Sequence, residues 1–245
     1  MERFFTYYFF SRSNILFSFI CCKKILRRYF AVPKEKKKEI YLDVDKIFKP
    51  LDKKEAKKVI AKRYNIEDKF ILTVGGANPN KNIGRIIRAY HLICHEFPEE
   101  FKLVILGDSE DNYEVFGRLA QKLSIADKII FTEYVSKRNL PFFYNACECF
   151  FYPSLYDRFG LPLLEAASCG TPIITSKISE IQEILGNCCI YVNPYDIINM
   201  AQNLYDTMRN EKLREELSLK SLEYSRRYSW QNTSQQILKS YKKLL

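Results

Sequence analysis

The chain has little glycine (8 of 245 residues), little proline (9), one tryptophan and 2 histidines. So few backbone breakers, beside 47% hydrophobic residues, exclude a disordered or low-complexity polymer and leave enough apolar material for a core. A long apolar run is also missing. The longest, residues 15–22, is about half of the ~20 residues that a membrane-crossing helix requires, and Ser11-Arg12-Ser13-Asn14 interrupts what precedes it. A cleavable leader is not expected, because Glu2 dilutes the charged start and no small-x-small site follows. The cysteines are Cys21, Cys22, Cys94, Cys147, Cys149, Cys169, Cys188 and Cys189, and no C-x-x-C pair occurs among them. Most sit in apolar runs, which suits reduced, buried thiols in a cytoplasmic protein. Cys147-Glu148-Cys149 has no second half-site, and His91 and His95, four apart at helical spacing, have no acidic companion motif. No metal centre is therefore expected.

Charge of one sign is concentrated rather than absent. The formal net charge is +10; residues 1–69 hold 19 Lys/Arg against 9 Asp/Glu, and the remaining 176 residues hold 20 of each. The body is neutral and the first quarter carries the excess. Segment 1–38 mixes Phe4, Phe5, Tyr7 and Tyr8 with Lys23, Lys24, Arg27 and Arg28. That composition suits peripheral contact with an anionic inner membrane face, and equally a solvated segment; nucleic acid is not expected as a partner.

From residue 70 onward, apolar runs of strand length alternate with helical patterns. Strands are expected at 70–74, 101–106, 128–131, 149–152, 172–175 and 189–192, and their continuous hydrophobicity predicts a parallel sheet covered on both faces. Ile83, Ile86, Ile87, Tyr90, Ile93, Cys94 and Phe97 recur at helical spacing, with Asn82 as cap and Pro98 as stop; Ser136 caps a helix through Leu140 and Tyr144. After Asn193-Pro194 the pattern is helical, over 211–228 and 230–245, and 53–63 is a basic helix with too little apolar face for a core. The expectation is an α/β fold, a doubly wound parallel sheet with a helical C-terminus, in which 39–245 form the domain and 1–38 a leading segment. Gly75-Gly76, Gly107-Asp108 and the loop at Asp157 each follow a strand, so they face one crevice.

The loop at Asp157 carries the most chemistry. Asp157-Arg158-Phe159-Gly160-Leu161-Pro162-Leu163-Leu164-Glu165 places a carboxylate, a glycine turn, a proline-initiated helix and a second carboxylate in nine residues. The unpaired amides and positive end of a helix starting near Leu161 favour an anion, and the two carboxylates accept from hydroxyls. A ligand with phosphate between hydroxyl-bearing groups fits, and a nucleotide sugar is such a ligand.

Together with Val74-Gly75-Gly76, Pro79-Asn80-Lys81-Asn82, Val104-Ile105-Leu106-Gly107-Asp108, Tyr152-Pro153-Ser154, Ser179-Glu180-Ile181 and Ser229-Trp230, that stretch resembles the C-terminal, donor-binding domain of family 4 retaining glycosyltransferases (glycosyl transferases group 1) of the GT-B fold. The resemblance implies a Rossmann-like half of a GT-B fold that transfers a hexosyl group from a UDP- or GDP-sugar to a saccharide or lipid-linked acceptor, as in polysaccharide biosynthesis. It implies that Asp157 accepts from the donor sugar and Glu165 from the ribose as the catalytic pair. It implies further that Lys81 and the amides at Gly160 and Leu161 hold the phosphates, with Gly76 and Phe159 beside them and Val135 bordering the base. No cofactor or divalent metal is expected, because a lysine and fixed amides meet the phosphate charge; Asp43-Val44-Asp45 is read as a chance D-x-D. The family has glutamate where this chain has Asp157, one methylene and roughly 1.3–1.5 Å shorter in reach. Many members also carry an arginine where Gly76 or Asn80 stands, which leaves Lys81 as the cation at the diphosphate. Fewer than 40 residues precede Glu39, where the family has an acceptor-binding domain. Two classes of function follow: a transferase subunit served by a separate N-terminal domain chain, and a non-catalytic remnant or binding module that keeps the cleft.

Overall fold

Alternating apolar runs and amphipathic stretches build a six-stranded, all-parallel sheet with helices on its faces. The computed structural model describes residues 15–17, 37–76, 78–97, 101–107, 110–157 and 159–242, without the side chains of 15–17, 37–39 and 110–113. Most of segment 1–38, with Cys21 and Cys22, and also Pro98, Asp108 and Arg158, lie outside the described residues. In chain order the elements are β1 (Ile15–Phe17), β2 (Lys37–Glu39), α1 (Lys53–Tyr64), β3 (Lys69–Val74), α2 (Ile83–His91), β4 (Phe101–Leu106), α3 (Glu110–Lys122), β5 (Ile129–Phe131), α4 (Leu140–Ala146), β6 (Cys149–Tyr152), α5 (Leu161–Ser168), β7 (Ile173–Ser176), α6 (Ser179–Leu185), β8 (Ile190–Val192), α7 (Ile197–Arg209), α8 (Glu211–Ser225) and α9 (Trp230–Tyr241). All six expected strands of the large sheet form, within a residue or so at each end.

The chain divides into two units, Met1–Val44 with Arg227–Leu245, and Asp45–Arg226. The break falls after Val44 rather than at the expected 38/39, and 227–245 go with the first unit instead of the domain that precedes them. The reason is local. Glu39 pairs in parallel with Phe17, Thr233 Oγ1 donates to the Tyr41 carbonyl at 2.6 Å, the Trp230 N–H reaches Asp43 Oδ2 at 3.3 Å, and the Tyr41 and Tyr228 rings meet edge to face at 6.0 Å. Residues 40–44 are thus held to the C-terminal helix of their own unit.

In the second unit the strand order is β5-β4-β3-β6-β7-β8. The chain runs outward from β3 through β4 to β5, then returns to the other side of β3 at β6. Ile71 registers with both Leu103 and Cys149. The order therefore reverses between β3 and β6, and the crevice beyond their carboxyl ends is where open sheets of this kind bind ligands. One sheet face, with Ile71, Ile105, Phe151 and Ile174, packs on Ile83, Ile86, Ile87 and Tyr90 of α2 and on Met200, Leu204 and Met208 of α7, all buried. Fully burying such a side chain contributes roughly 1.5–3 kcal/mol. On the other face Phe150 stacks on Tyr152 at 5.3 Å and meets Tyr144 edge-on at 5.3 Å. Among the described residues no helix is long and apolar enough to cross a membrane.

Two capping expectations resolve differently. Asn82 does not cap α2 with its side chain; it adopts φ 63°, and its carbonyl accepts from the Arg85 and Ile86 amides. Its buried amide nitrogen instead donates to the carbonyls of Pro153 at 2.9 Å and Pro194 at 2.8 Å, tying the loops after β6 and β8 to the start of α2. Ser136 serves through its carbonyl, which accepts from Asn139 and Leu140, and Asn139 is the N-cap of α4. Helix α2 stops at His91, so His95 lies past its end and the two histidines do not share one helix.

Candidate active site at the carboxyl ends of strands β3 and β6

Strand β3 ends at Val74, and the chain leaves it through Gly75, whose N–H donates to the Leu106 carbonyl at 3.0 Å. Gly75 holds φ +144°, and a Cβ there would lie 2.5 Å from Lys81 Cγ and 2.6 Å from Lys81 Cβ. The missing side chain is the space through which the lysine stem passes. Lys81 closes a 3-10 turn, Pro79–Lys81, that Asn78 caps by accepting from the Asn80 amide at 2.9 Å. Gly76, the glycine singled out from sequence, is half-buried beside this turn; the close contact belongs to Gly75.

Lys81 Nζ donates to the hydroxyl of Tyr152 at the end of β6. That hydroxyl donates to Asp157 Oδ2 at 2.9 Å, and Lys81 Nζ stands 3.4 Å from the same oxygen. The other carboxylate oxygen, Oδ1, accepts from the Phe159 N–H at 3.2 Å and the Gly160 N–H at 2.6 Å. Gly160 is the N-cap of α5 at φ +74° and has no side chain to cap with; Asp157, three residues upstream, fixes the amide of Gly160 itself just before the helix. Leu161 follows, 40% exposed, and among the described residues its N–H meets no acceptor. Phe159 buries its ring and anchors the loop.

Glu165 sits a turn into α5, where Oε2 accepts from the hydroxyl of the buried Tyr144 at 3.0 Å. Burial pushes its pKa up to about 7, against the opposing pull of the Tyr144 hydrogen bond and the Lys137 charge. The carboxyl therefore changes charge near neutrality. Tyr152 and Tyr144 shift far upward, mainly by burial and then by the neighbouring carboxylates, so both phenols remain protonated donors.

The structure thus joins Lys81, Asp157, Phe159 and Gly160 in one contact network and places Leu161 at its edge. Glu165 is four residues further along the same helix, with Tyr144 rather than the network as partner. Val135 is buried in the loop after β5, next to Tyr134, which is 82% exposed. Asp43 and Asp45 are each engaged, Asp43 with the Val44 N–H at 2.7 Å and Asp45 with Lys137 at 2.9 Å. Sequence reasoning did not single out Tyr152, Tyr144, Gly75 or Asn82 as site residues. The one available signal was a polar-tipped aromatic ending the otherwise apolar run of β6.

The glycosyl transferases group 1 model matches residues 52–223. This chain belongs to that family. It is 30% identical over 175 residues to O-antigen chain mannosyltransferase B of Escherichia coli, covering 71% of this chain and 46% of that protein. A glycosyltransferase from Rickettsia africae superposes with a TM-score of 0.86 at 17% identity, over 98% of this chain and 66% of that one. Anabaena Alr3699/HepE, solved in complex with UDP-glucose, superposes with a TM-score of 0.81 at 16% identity, over 95% of this chain and 65% of that one. The group 1 chain therefore has the Rossmann-like, GT-B-type fold of these structures, and it spans between about a quarter and about half of the length of the curated relatives it matches.

Proposed function

We propose that this group 1 chain is the donor half of a hexosyltransferase and binds a UDP- or GDP-sugar at the carboxyl ends of β3 and β6. The observation that carries this reading is the Lys81–Tyr152–Asp157 network set against the start of α5 at the topological switch point. Transfer breaks the bond between the anomeric carbon and the diphosphate oxygen, and the acceptor oxygen bonds to that carbon while its proton passes to the departing diphosphate. Negative charge then grows on the leaving phosphate, where Lys81 and the Leu161 N–H meet it without a divalent metal. Asp157 accepts from a hydroxyl of the sugar and Glu165 from the ribose; the ribose contact requires the ionised form of Glu165. Gly76 and Phe159 flank the phosphates, and Val135 borders the base. The saccharide or lipid-linked acceptor is bound by a domain outside these residues, and the basic segment 1–38 reaches anionic lipid at the inner face of the membrane. Mannosyl donors are the first to try, given the named activity of O-antigen chain mannosyltransferase B.

Calorimetry with UDP- and GDP-sugars tests the donor site. A complex that Glu165→Ala weakens is expected; no detectable binding by the native chain, or binding indifferent to that substitution, removes the assignment. Flotation with anionic liposomes at low salt tests the lipid contact, and a chain that stays at the bottom of the gradient removes it.

A further inference from the structure

Resting on the donor-site reading above, we propose that Tyr152 is a positioning residue that sets where the Lys81 ammonium stands and so gives the site its affinity for a diphosphate. A lysine is a point charge on a flexible four-carbon stem, and something must hold it if its charge is to meet one particular phosphate. Gly75 orders the root of that stem by leaving no Cβ in its path. The tip is held by the phenol. The direct approach of Lys81 Nζ to Asp157 Oδ2 is 3.4 Å, longer than the 2.7–2.9 Å usual for a charged N–H to carboxylate bond. The phenol closes that gap by accepting from Lys81 and donating to Asp157 at 2.9 Å.

The direction of these bonds does not reverse. Burial beside Asp157 keeps the phenol protonated, so its O–H goes on donating to the carboxylate and its oxygen goes on accepting from the ammonium. The ring itself is fixed by stacking on Phe150 at 5.3 Å and is fully buried. Rigidity therefore passes from the sheet through Tyr152 to a side chain that would otherwise be mobile. The shorter side chain of Asp157, turned back onto the Phe159 and Gly160 amides, is what leaves room for a third group between the two charges.

The test compares native chain, Tyr152→Phe, Lys81→Met and the double variant, each titrated with UDP, GDP, UMP and GMP. Phenylalanine keeps the stacked ring; Tyr152→Met removes the hydroxyl by another route and carries the same expectation should Tyr152→Phe not fold. Loss of the hydroxyl is expected to weaken binding of the preferred diphosphate about tenfold, in line with one hydrogen bond to a charged group. The monophosphate is expected to change little, and the double variant to bind no worse than Lys81→Met alone, because Tyr152 acts through Lys81. Equal losses for mono- and diphosphate, or losses that multiply in the double variant, overturn the proposal. Diphosphate binding that Tyr152→Phe leaves unchanged overturns it alone and leaves the donor site standing. A native chain that binds no diphosphate overturns the donor site, and this proposal with it.

Discussion

Replacing Glu165 with glutamine is expected to make the protein more stable at alkaline pH and no more stable at acid pH. The native carboxyl moves from its ordinary 4.5 up to about 7 because it is buried, and the Tyr144 and Lys137 contacts offset only part of that cost. Below pH 4.5 the group is protonated in both folded and unfolded chains, and it contributes no pH dependence. Between 4.5 and 7 the unfolded chain releases the proton while the fold retains it, so stability falls as pH rises. Above 7 the loss is complete, and at ~1.4 kcal/mol per pH unit it reaches about 3.5 kcal/mol as an upper value. Glutamine stays neutral, fits the same volume and keeps an oxygen for the Tyr144 hydroxyl. Thermal or urea unfolding of native chain and Glu165→Gln at pH 5 and pH 8.5 reads the difference directly. A gain of about 2–3 kcal/mol at pH 8.5, shrinking toward zero at pH 5, is expected, with a midpoint shift of several degrees for a chain of this size. Equal stabilities at pH 8.5, or a gain that grows toward acid, would refute the assignment of burial as the dominant influence. The same group makes an opposite demand on ligand: if Glu165 accepts from a ribose, nucleotide affinity should fall about tenfold per pH unit below 7 in the native chain and lose that slope in the glutamine variant.

Gly75→Ala puts a methyl group on the Lys81 stem at a φ that L-residues avoid, so it is expected to abolish diphosphate binding while circular dichroism stays native. Asn82→Ala strands the Pro153 and Pro194 carbonyls and leaves alanine in the left-handed region, for an expected cost of about 2–4 kcal/mol in urea unfolding. Asp157→Glu lengthens the carboxylate past the Phe159 and Gly160 amides and into the gap that the phenol bridges; about 1 kcal/mol of stability is expected to be lost in urea unfolding, and diphosphate affinity measured by calorimetry is expected to fall. Binding that Asp157→Glu leaves unchanged would mean that the length of this carboxylate does not govern the Lys81–Tyr152 contact.

The sheet was legible because its strands are buried on both faces. Runs such as residues 103–106 and Cys149–Tyr152 are apolar and buried from end to end, and no amphipathic helix imitates them. Their carboxyl ends followed from the alternation with helices, and so did the crevice. Helix starts were less legible because a cap is chosen by competition. Asn82 has the right side chain for a cap, yet two carbonyls from distant loops bind its amide instead, and its own backbone turns left-handed to allow it. The boundary at 38/39 followed the start of the family resemblance at Glu39, whereas the break at 44/45 depends on Thr233 and Trp230 reaching back to Tyr41 and Asp43 across most of the sequence.

The site divides along the same line. Asp157, Gly160, Leu161 and Glu165 are neighbours in sequence, so a carboxylate, a glycine turn and a helix start could be read together. Tyr152 and Lys81 are 71 residues apart, and only the reversal of strand order between β3 and β6 brings them into contact. The chemistry of the site depends on such distant pairs. Asp157 taken alone is a turn residue that accepts from two amides of its own loop. It becomes part of a half-buried polar network because the end of β6 delivers a phenol and the turn after β3 delivers a lysine to its second oxygen. Glu165 taken alone is a helix residue; Tyr144 on α4 and the burial around it move its charge change into the neutral range. Motif residues therefore mark where the candidate site lies, and the strand order decides which charges meet there.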